Sequence, residues 1–283
     1  MIDRPWAGLT FDRPRIMGVL NVTPDSFSDG GDFLDPNAAV AAGLAMAAAG
    51  ADIIDVGGES TRPDSQPTPP TEEQRRILPV IRGLAAAGAR VSVDTRHAST
   101  MAVALDAGAA IVNDICALAF DANAAPLVAS RDCPVVLSHM RGTPADMYAL
   151  ADYDDVTADV MRELGQRIEA ARSAGIARDR IVIDPGIGFA KTAEQSAELL
   201  RRLPELRSLG RPILVGVSRK SFLGVITGEP DPRRRLPASL AASLFALSRG
   251  AAILRVHNVV ETIQAIKAWE GLKSVGASVA GAI

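Results

Sequence analysis

Short runs of β-branched and other apolar residues recur along the chain, each followed by a longer stretch rich in Ala, Leu, Arg and Glu. These runs are almost wholly apolar rather than alternating, which is typical of parallel strands covered on both faces. They predict eight strands, which begin near Ile16, Ile53, Val91, Ile111, Val135, Ile181, Ile213 and Ile253.

The stretches between these runs predict helices. Asp35 stands before Pro36 as an N-cap with proline in the first turn. Thr71 opens the segment TEEQ, which is a capping-box pattern. The predicted helices span residues 36–49, 71–87, 97–107, 123–130, 156–174, 193–206, 237–248 and 260–272.

Eight alternating strands and helices predict a closed (β/α)₈ TIM barrel of the α/β class. An open doubly wound sheet is the competing fold, but the turn after the first strand has no GxGxxG pattern. We expect one domain: an N-terminal extension of residues 1–15 that plugs the barrel bottom, the barrel itself at 16–272, and a flexible tail at 273–283.

Composition excludes several classes of protein. The chain of 283 residues has a formal net charge of −3, with 48% hydrophobic and 22% charged residues, as in globular proteins. The pI of about 5.7 argues against a nucleic-acid partner. No apolar run is long enough to span a membrane, and the N-terminus has no signal-peptide pattern. With Cys116 and Cys133 expected as buried thiols, we expect a cytoplasmic protein.

Polar side chains follow each predicted strand, and a barrel would gather them at one end. Carboxylates and amides there suit a flat heterocycle that carries N–H donors. The basic groups come late, near the seventh and eighth strands, where barrels frequently bind phosphate. These candidates are Asn21, Asp55, Glu59, Asp94, Asn113, Asp114, His139, Asp184, Ser218, Arg219, Lys220, Arg255 and His257.

Two loops, after the first and second strands, are long and rich in Gly, Ser, Asp and Pro, which favours lids over the barrel mouth. Phe27, Thr61 and Arg62 would supply their contacts. The run of Arg233, Arg234 and Arg235 is expected to be exposed and solvated.

The motifs NVTPDSFSDGG, DVGGESTRP, SVDT, NDI, DPGIGFAKT, VSRKSFLG and RVH, in this order, resemble those of the dihydropteroate synthases. The match covers residues 14–270. The resemblance implies a homodimeric, Mg²⁺-dependent enzyme of folate biosynthesis that sulfonamides inhibit. Such an enzyme condenses 6-hydroxymethyl-7,8-dihydropterin pyrophosphate with 4-aminobenzoate, giving 7,8-dihydropteroate and pyrophosphate.

The resemblance also implies roles for individual residues. The pterin would be bound by Asp94, Asn113, Asp184, Lys220 and Arg255, with Met140 and Phe189 flanking it. Pyrophosphate would be bound by Asn21, Arg62, Arg255 and His257, with Asn21 also binding Mg²⁺. The 4-aminobenzoate site would be shaped by Phe27, Thr61, Arg62, Pro63, Ser218 and Lys220. Asp25 would close the first loop, and the catalytic residues would be Asp94, Lys220, Arg255 and His257.

The expected reaction is a dissociative substitution, because the carbon that loses pyrophosphate becomes cationic next to the pterin ring. Two alternatives are a pterin-dependent corrinoid methyltransferase, which lacks both long loops, and a catalytically silent pterin-binding paralogue. The family pattern usually has other residues at five positions, namely Cys116, Arg141, Ala190, Pro237 and Asn258.

Overall fold

The computed structural model describes residues 5–23, 35–60, 67–143 and 146–279. Within these ranges, all eight predicted strands are present and every pairing between them is parallel. They are β1 (Arg15–Asn21), β2 (Ile53–Gly57), β3 (Val91–Asp94), β4 (Ile111–Asp114), β5 (Val135–Ser138), β6 (Ile181–Asp184), β7 (Leu214–Val215) and β8 (Ile253–Val256).

The strands form one sheet in the order β6-β5-β4-β3-β2-β1-β8-β7. A parallel bridge between Ile183 and Ile213 joins its two edges, and the Ile183 amide donates to the Pro212 carbonyl at 3.0 Å. The prediction of a closed (β/α)₈ barrel is therefore confirmed.

Helices lie between the strands, as expected. Within the described ranges they are α1 (Pro36–Ala48), α2 (Pro70–Ala86), α3 (Ala98–Asp106), α4 (Ala124–Ser130), α5 (Val156–Ser173), α6 (Ala193–Arg201), α7 (Ser221–Thr227), α8 (Leu236–Ser248) and α9 (Val259–Val279). The sequence pattern missed α7. It also placed the end of α6 too late, because a separate 3₁₀ helix, Leu203–Leu209, follows with Pro204 in its first turn.

The two predicted helix caps have different outcomes. Asp35 caps α1, where its carboxylate accepts from the Asn37 amide at 2.9 Å. The capping box at Thr71 is wrong, because α2 begins one residue earlier, at Pro70, and has no side-chain cap. A true capping box stands instead at the start of α6, between Thr192 and Gln195.

The bottom of the barrel is a closed apolar layer. Seven strands each direct one side chain into it, and Trp6 and Leu9 of the N-terminal segment are buried against them. The Trp6 indole N–H also donates to the Arg180 carbonyl at 2.8 Å. The expected plug is therefore present. The strand residues of this layer are Met17, Ile53, Ile111, Val136, Val182, Leu214 and Ile253.

Three further expectations can be compared with the fold. α9 continues to Val279, past the expected end at residue 272, while the division into extension, barrel and tail stays a prediction. Cys133 is a buried thiol and Cys116 is only half-buried. No helix in the described ranges combines the length and the apolar character that a membrane crossing requires.

The expectation that the whole arginine run is solvated is wrong for Arg235. Arg233 and Arg234 are exposed, but Arg235 is buried and donates to the carbonyls of Glu229, Pro230 and Arg219. Arg235 thus ties the start of α8 to the chain that precedes Lys220.

Candidate active site

Alternation along the strands places four polar or small residues side by side at the carboxyl end of the barrel. Asn21 pairs with Gly57, Gly57 with Asp94, and Asp94 with Asn113. Gly57 leaves room between its neighbours, because a Cβ atom there would lie 3.4 Å from the Asp94 Cβ and 3.8 Å from the Asn21 Oδ1. Asn21, Asp94 and Asn113 therefore face the same space, as predicted.

Arg255 of β8 reaches across this space to two carboxylates. Its Nε donates to Asp55 Oδ2 at 2.6 Å, and its Nη2 donates to Asp94 Oδ2 at 2.6 Å. The Asn113 amide donates to the same Asp55 oxygen at 3.0 Å. One cation thus stands between the fully buried Asp55 and the nearly buried Asp94, and this arrangement brings together strands that lie far apart in sequence.

Asp55 received no specific role from the sequence, although it is fully buried at the centre of this arrangement. The signal that could have found it is one acid within the apolar run IIDVG, at an inward position of the strand. A charged residue at such a position needs a partner, and Arg255 supplies it.

Burial sets the electrostatics of these groups. It raises the pKa of Asp94 to about 7, and the Arg255 guanidinium opposes this rise. Burial lowers the pKa of Arg255, but Asp55 and Asp94 outweigh it, so the pKa is raised overall. Arg255 therefore stays charged in the site.

Asp184 and Lys220 form the opposite side of the mouth. The Asp184 carboxylate accepts from the Gly186 amide at 2.7 Å, and burial raises its pKa. The Lys220 Nζ lies 3.4 Å from the centre of the Phe189 ring. Burial lowers the pKa of Lys220 to about 8, and interaction with Asp184 opposes that change. Met140 is half-buried in the loop that follows β5.

Ser218 and His257 contact each other, although the sequence assigned them to different substrates. The Ser218 Oγ lies 2.9 Å from His257 Nδ1 and accepts from the His257 amide at 3.3 Å. The 4-aminobenzoate and pyrophosphate parts of the predicted site would therefore share a border here.

The expectation that polar residues after all eight strands meet at the mouth is wrong. His139 falls one position past Ser138 and points outward, where its Nε2 lies 2.9 Å from Glu163 of α5. The Asp114 carboxylate accepts from the Cys116 and Leu118 amides instead. In both cases a one-residue step along the strand reverses the direction of the side chain.

Glu59 also has a structural partner, because Arg96 Nη2 donates to it at 2.8 Å and both side chains are nearly buried. Five candidates lie outside the described residues, and their roles stay predictions. They are Asp25, Phe27, Thr61, Arg62 and Pro63.

Each of the five departures from the family pattern has identifiable surroundings. Cys116 is half-buried, and its amide donates to Asp114 at 2.7 Å. Ala190 is fully buried with a φ of 48°, a region that favours glycine. Asn258 accepts from Arg219 Nη2 at 2.8 Å. Arg141 pairs with Glu163 and stacks over a tyrosine ring, and Pro237 lies in the first turn of α8, which proline tolerates.

A surface groove of about 480 Å³ lies at the other end of the barrel, beside Asp52 and Arg90. Asp52 is already bound by Arg13 and Arg15, and alanines and backbone make up most of the remaining wall. None of the sequence-predicted residues lines this groove.

Comparison with known proteins identifies the family. The pterin binding enzyme family model matches residues 17–257. A dihydropteroate synthase of Synechocystis sp. is 43% identical over 261 residues, which are 92% of this chain and 90% of that protein. A probable bifunctional folylpolyglutamate synthase/dihydropteroate synthase of Haloferax volcanii is 47% identical over 93% of this chain, which spans only 31% of that relative's length.

Solved structures agree with these relatives. The Xanthomonas albilineans dihydropteroate synthase with 4-aminobenzoic acid is 48% identical with a TM-score of 0.88, over 94% of this chain and 95% of that one. The Yersinia pestis dihydropteroate synthase with a sulfonamide drug is 40% identical with a TM-score of 0.89, over 94% and 96% of the two chains. The chain therefore belongs to the dihydropteroate synthases, within the pterin binding enzyme family.

Proposed function

We propose that this chain condenses 6-hydroxymethyl-7,8-dihydropterin pyrophosphate with 4-aminobenzoate, releasing pyrophosphate and 7,8-dihydropteroate. The observation that carries the proposal is the meeting of Asp94, Asn113, Asp184, Lys220 and Arg255 at one end of the barrel. Their two carboxylates and one amide suit the N–H edge of a pterin.

The charges of the site favour loss of pyrophosphate before the amine attacks. As the bond to pyrophosphate breaks, positive charge develops on the carbon attached to the pterin ring. Asp94 and Asp55 are held in fixed positions by their hydrogen bonds to Arg255, so their carboxyl oxygens would face the developing positive charge without moving during the reaction. The arylamine nitrogen is already unprotonated at neutral pH and needs no strong base.

Arg255 in β8 and His257 directly after it would bind the departing pyrophosphate. The bonds to Asp55 and Asp94 use Nε and Nη2 of Arg255, so Nη1 would donate to the anion. Ser218 contacts His257 and would position its ring between pyrophosphate and 4-aminobenzoate. The two long loops would exclude water that could otherwise trap the cationic carbon.

The residues fit a Mg²⁺ ion only if substrate supplies most of its ligands. No group of three Asp, Glu, His or Cys residues in the described ranges could hold a metal ion. Asn21 offers one amide oxygen at the mouth, and Mg²⁺ commonly takes few protein ligands together with water and phosphate oxygens. When bound, the ion would neutralise charge on the pyrophosphate oxygens.

We further propose a cytoplasmic homodimer that sulfonamides inhibit. Val225 and Ile226 of α7 and Phe245 of α8 are exposed apolar side chains that a second copy could cover. Light scattering of the purified protein should give twice the chain mass of 29.6 kDa. A single-chain mass at all concentrations would contradict the dimer.

The reaction is tested by incubating the purified protein with the pterin pyrophosphate, 4-aminobenzoate and Mg²⁺ while inorganic pyrophosphate is measured. We expect one pyrophosphate for each 7,8-dihydropteroate formed. Product formation that requires a methyl-corrinoid partner would favour the methyltransferase, and binding of the pterin without turnover would favour the silent paralogue.

The dissociative step is tested with oxygen-labelled pterin pyrophosphate. We expect the label to exchange between bridging and non-bridging positions without net turnover. A rate that follows the nucleophilicity of substituted anilines linearly, with chemistry limiting, would contradict it.

A further inference from the structure

Lys191, in the motif DPGIGFAKT, is a buried cation that the proposed reaction does not use. Only four of the 30 basic residues in the chain are lysines. Lys267 and Lys273 are exposed on α9, whereas Lys191 and Lys220 lie on either side of the loop that carries Phe189. A chain that otherwise uses arginine almost everywhere thus has two of its four lysines at this loop, and the compact ammonium group of lysine has a different donor geometry from a planar guanidinium.

The Lys191 ammonium donates three hydrogen bonds. Its Nζ lies 3.1 Å from the Gly186 carbonyl, 2.9 Å from the Phe189 carbonyl and 3.0 Å from His139 Nδ1. An ammonium has three protons, so this set uses all of them. Because Lys191 is 2% exposed, water does not replace any of these bonds.

Two of the three acceptors belong to the loop of residues 185–190, which we call the β6–α6 loop, and the third belongs to the chain after β5. Gly186 has a φ of 67°, and a Cβ atom there would lie 1.9 Å from the His139 carbonyl oxygen. The β6–α6 loop therefore lies directly on the chain that follows β5, and Lys191 bonds to both.

The contact between His139 Nε2 and Glu163 makes Nδ1 of the same ring the acceptor for Lys191. Burial, together with the Lys191 charge, lowers the pKa of His139 to about 4, so the imidazole is neutral at neutral pH. Its Nε2 donates to Glu163, which Arg141 also binds. This bond places the single ring proton on Nε2 and leaves Nδ1 as the acceptor.

The β6–α6 loop also carries groups of the proposed pterin site. The Gly186 amide donates to Asp184, and the Phe189 ring contacts the Lys220 ammonium. A shift of the loop would change both contacts at once, even though the Lys191 ammonium bonds to neither the Asp184 carboxylate nor the Phe189 ring.

We propose that Lys191 is a positioning residue, which fixes the β6–α6 loop against His139 so that Asp184 and Phe189 are preorganised for the pterin. The identity of the ligand rests on the proposed function, whereas the effect on the loop does not. Lys191→Met keeps an unbranched side chain that is one atom shorter, and it removes all three donors. Lys191→Arg keeps a positive charge and loses the compact three-donor geometry.

The test combines calorimetry with amide hydrogen exchange. Both are done at a pH between the pKa of His139, about 4, and the pKa of Lys191, about 7. For Lys191→Met and Lys191→Arg we expect affinity for the pterin pyrophosphate to fall about 10- to 100-fold, from the loss of buried hydrogen bonds. We expect a much smaller change in kcat at saturating pterin. Exchange of the Gly186 and Phe189 amides should accelerate about tenfold or more, with the barrel strands unaffected.

Lys267→Met, at an exposed lysine, is the matched control and should change neither the pterin affinity nor the amide exchange. A second pair of variants avoids dependence on Lys191 itself: His139→Gln keeps one acceptor and one donor, whereas His139→Leu removes both. We expect Gln to preserve pterin affinity and Leu to reproduce the effect of Lys191→Met.

Unchanged exchange at Gly186 and Phe189 in Lys191→Met would overturn the positioning role, as would an equal acceleration throughout the barrel. Full pterin affinity in Lys191→Arg would also overturn it, because charge alone would then suffice. If the unmodified protein fails to bind the pterin pyrophosphate, the proposed function fails, and the exchange data still decide the role of Lys191.

Discussion

At the scale of single residues, the direction of each side chain decides whether it joins the site. Asp94 and Asp184 end their strands at inward positions, Asn113 lies inward one residue before the end of β4, and the sequence was sufficient to group them. His139 was misassigned because it lies one residue past an inward position. Arg235 was misassigned because nothing in a run of three arginines identifies the one whose side chain is buried and binds backbone carbonyl groups.

Asp184→Asn should weaken binding of the pterin pyrophosphate by about 100-fold or more. The amide keeps an acceptor for the Gly186 N–H, but it offers one acceptor oxygen and no charge to the N–H groups of the ring. Calorimetry measures the change, and exposed Asp154→Asn serves as the control. Equal affinities for the two variants would show that Asp184 does not bind the pterin.

Arg255→Ala should reduce turnover by about 100-fold or more while the KM for 4-aminobenzoate changes little. Its loss leaves Asp55 and Asp94 buried without their cation, so we also expect a loss of stability of about 3–5 kcal/mol. Steady-state kinetics and urea unfolding measure the two effects, with exposed Arg233→Ala as control. Equal losses in turnover and in 4-aminobenzoate binding would contradict the pyrophosphate role.

Glu73→Gln should remove a pH dependence of stability. Burial raises the pKa of Glu73 from 4.5 to about 7, and the hydrogen bond from Thr100 opposes this rise. The folded state therefore favours the neutral acid, and the stability from this group is full below about pH 4.5 and is lost as pH rises through about 7.

Above that pH the glutamine variant should be more stable than the parent protein by about 1–3 kcal/mol, and below pH 4.5 the two should agree. Urea unfolding at several pH values measures the difference, and exposed Glu270→Gln is the control. A constant difference at all pH values would mean that ionisation of Glu73 is not its cause.

At the scale of elements, the strands were predictable and one helix was not. Each strand is a compact apolar run, and its outward residues pack on neighbouring helices, as Ile54 and Val56 do in the same core as Ile81 of α2. The seven residues of α7 are too few to show a helical period. The glycine at position 224 also lowers helix propensity, and a Cβ atom there would lie 2.8 Å from Arg235 Nε.

The N-terminal plug should stabilise the barrel without affecting catalysis. Trp6 is fully buried among the inward residues at the barrel bottom, so Trp6→Ala should cost about 3–5 kcal/mol. Because the site lies at the other end, both KM values should stay within about twofold. Trp269→Ala, on α9 and only half-buried, should cost less in urea unfolding. A comparable loss of stability in the two variants would contradict the plug.

At the scale of the whole molecule, the barrel brings together residues that no local pattern connects. The bond between Arg255 and Asp55 spans 200 positions in the sequence. The sequence predicted that their strands end at one mouth, but it could not show which acid Arg255 would bind, because that depends on the register of all eight strands. The roles of Asp25, Phe27, Thr61, Arg62 and Pro63 in the two long loops remain predictions, because these residues lie outside the described ranges.

A crystal structure of the protein with a bound pterin tests the account of the site most directly. We expect the ring within hydrogen-bonding distance of Asp94, Asn113 and Asp184, beside Lys220. A pterin bound elsewhere, as in the groove beside Asp52 and Arg90, or these side chains turned away from the ring, would contradict it.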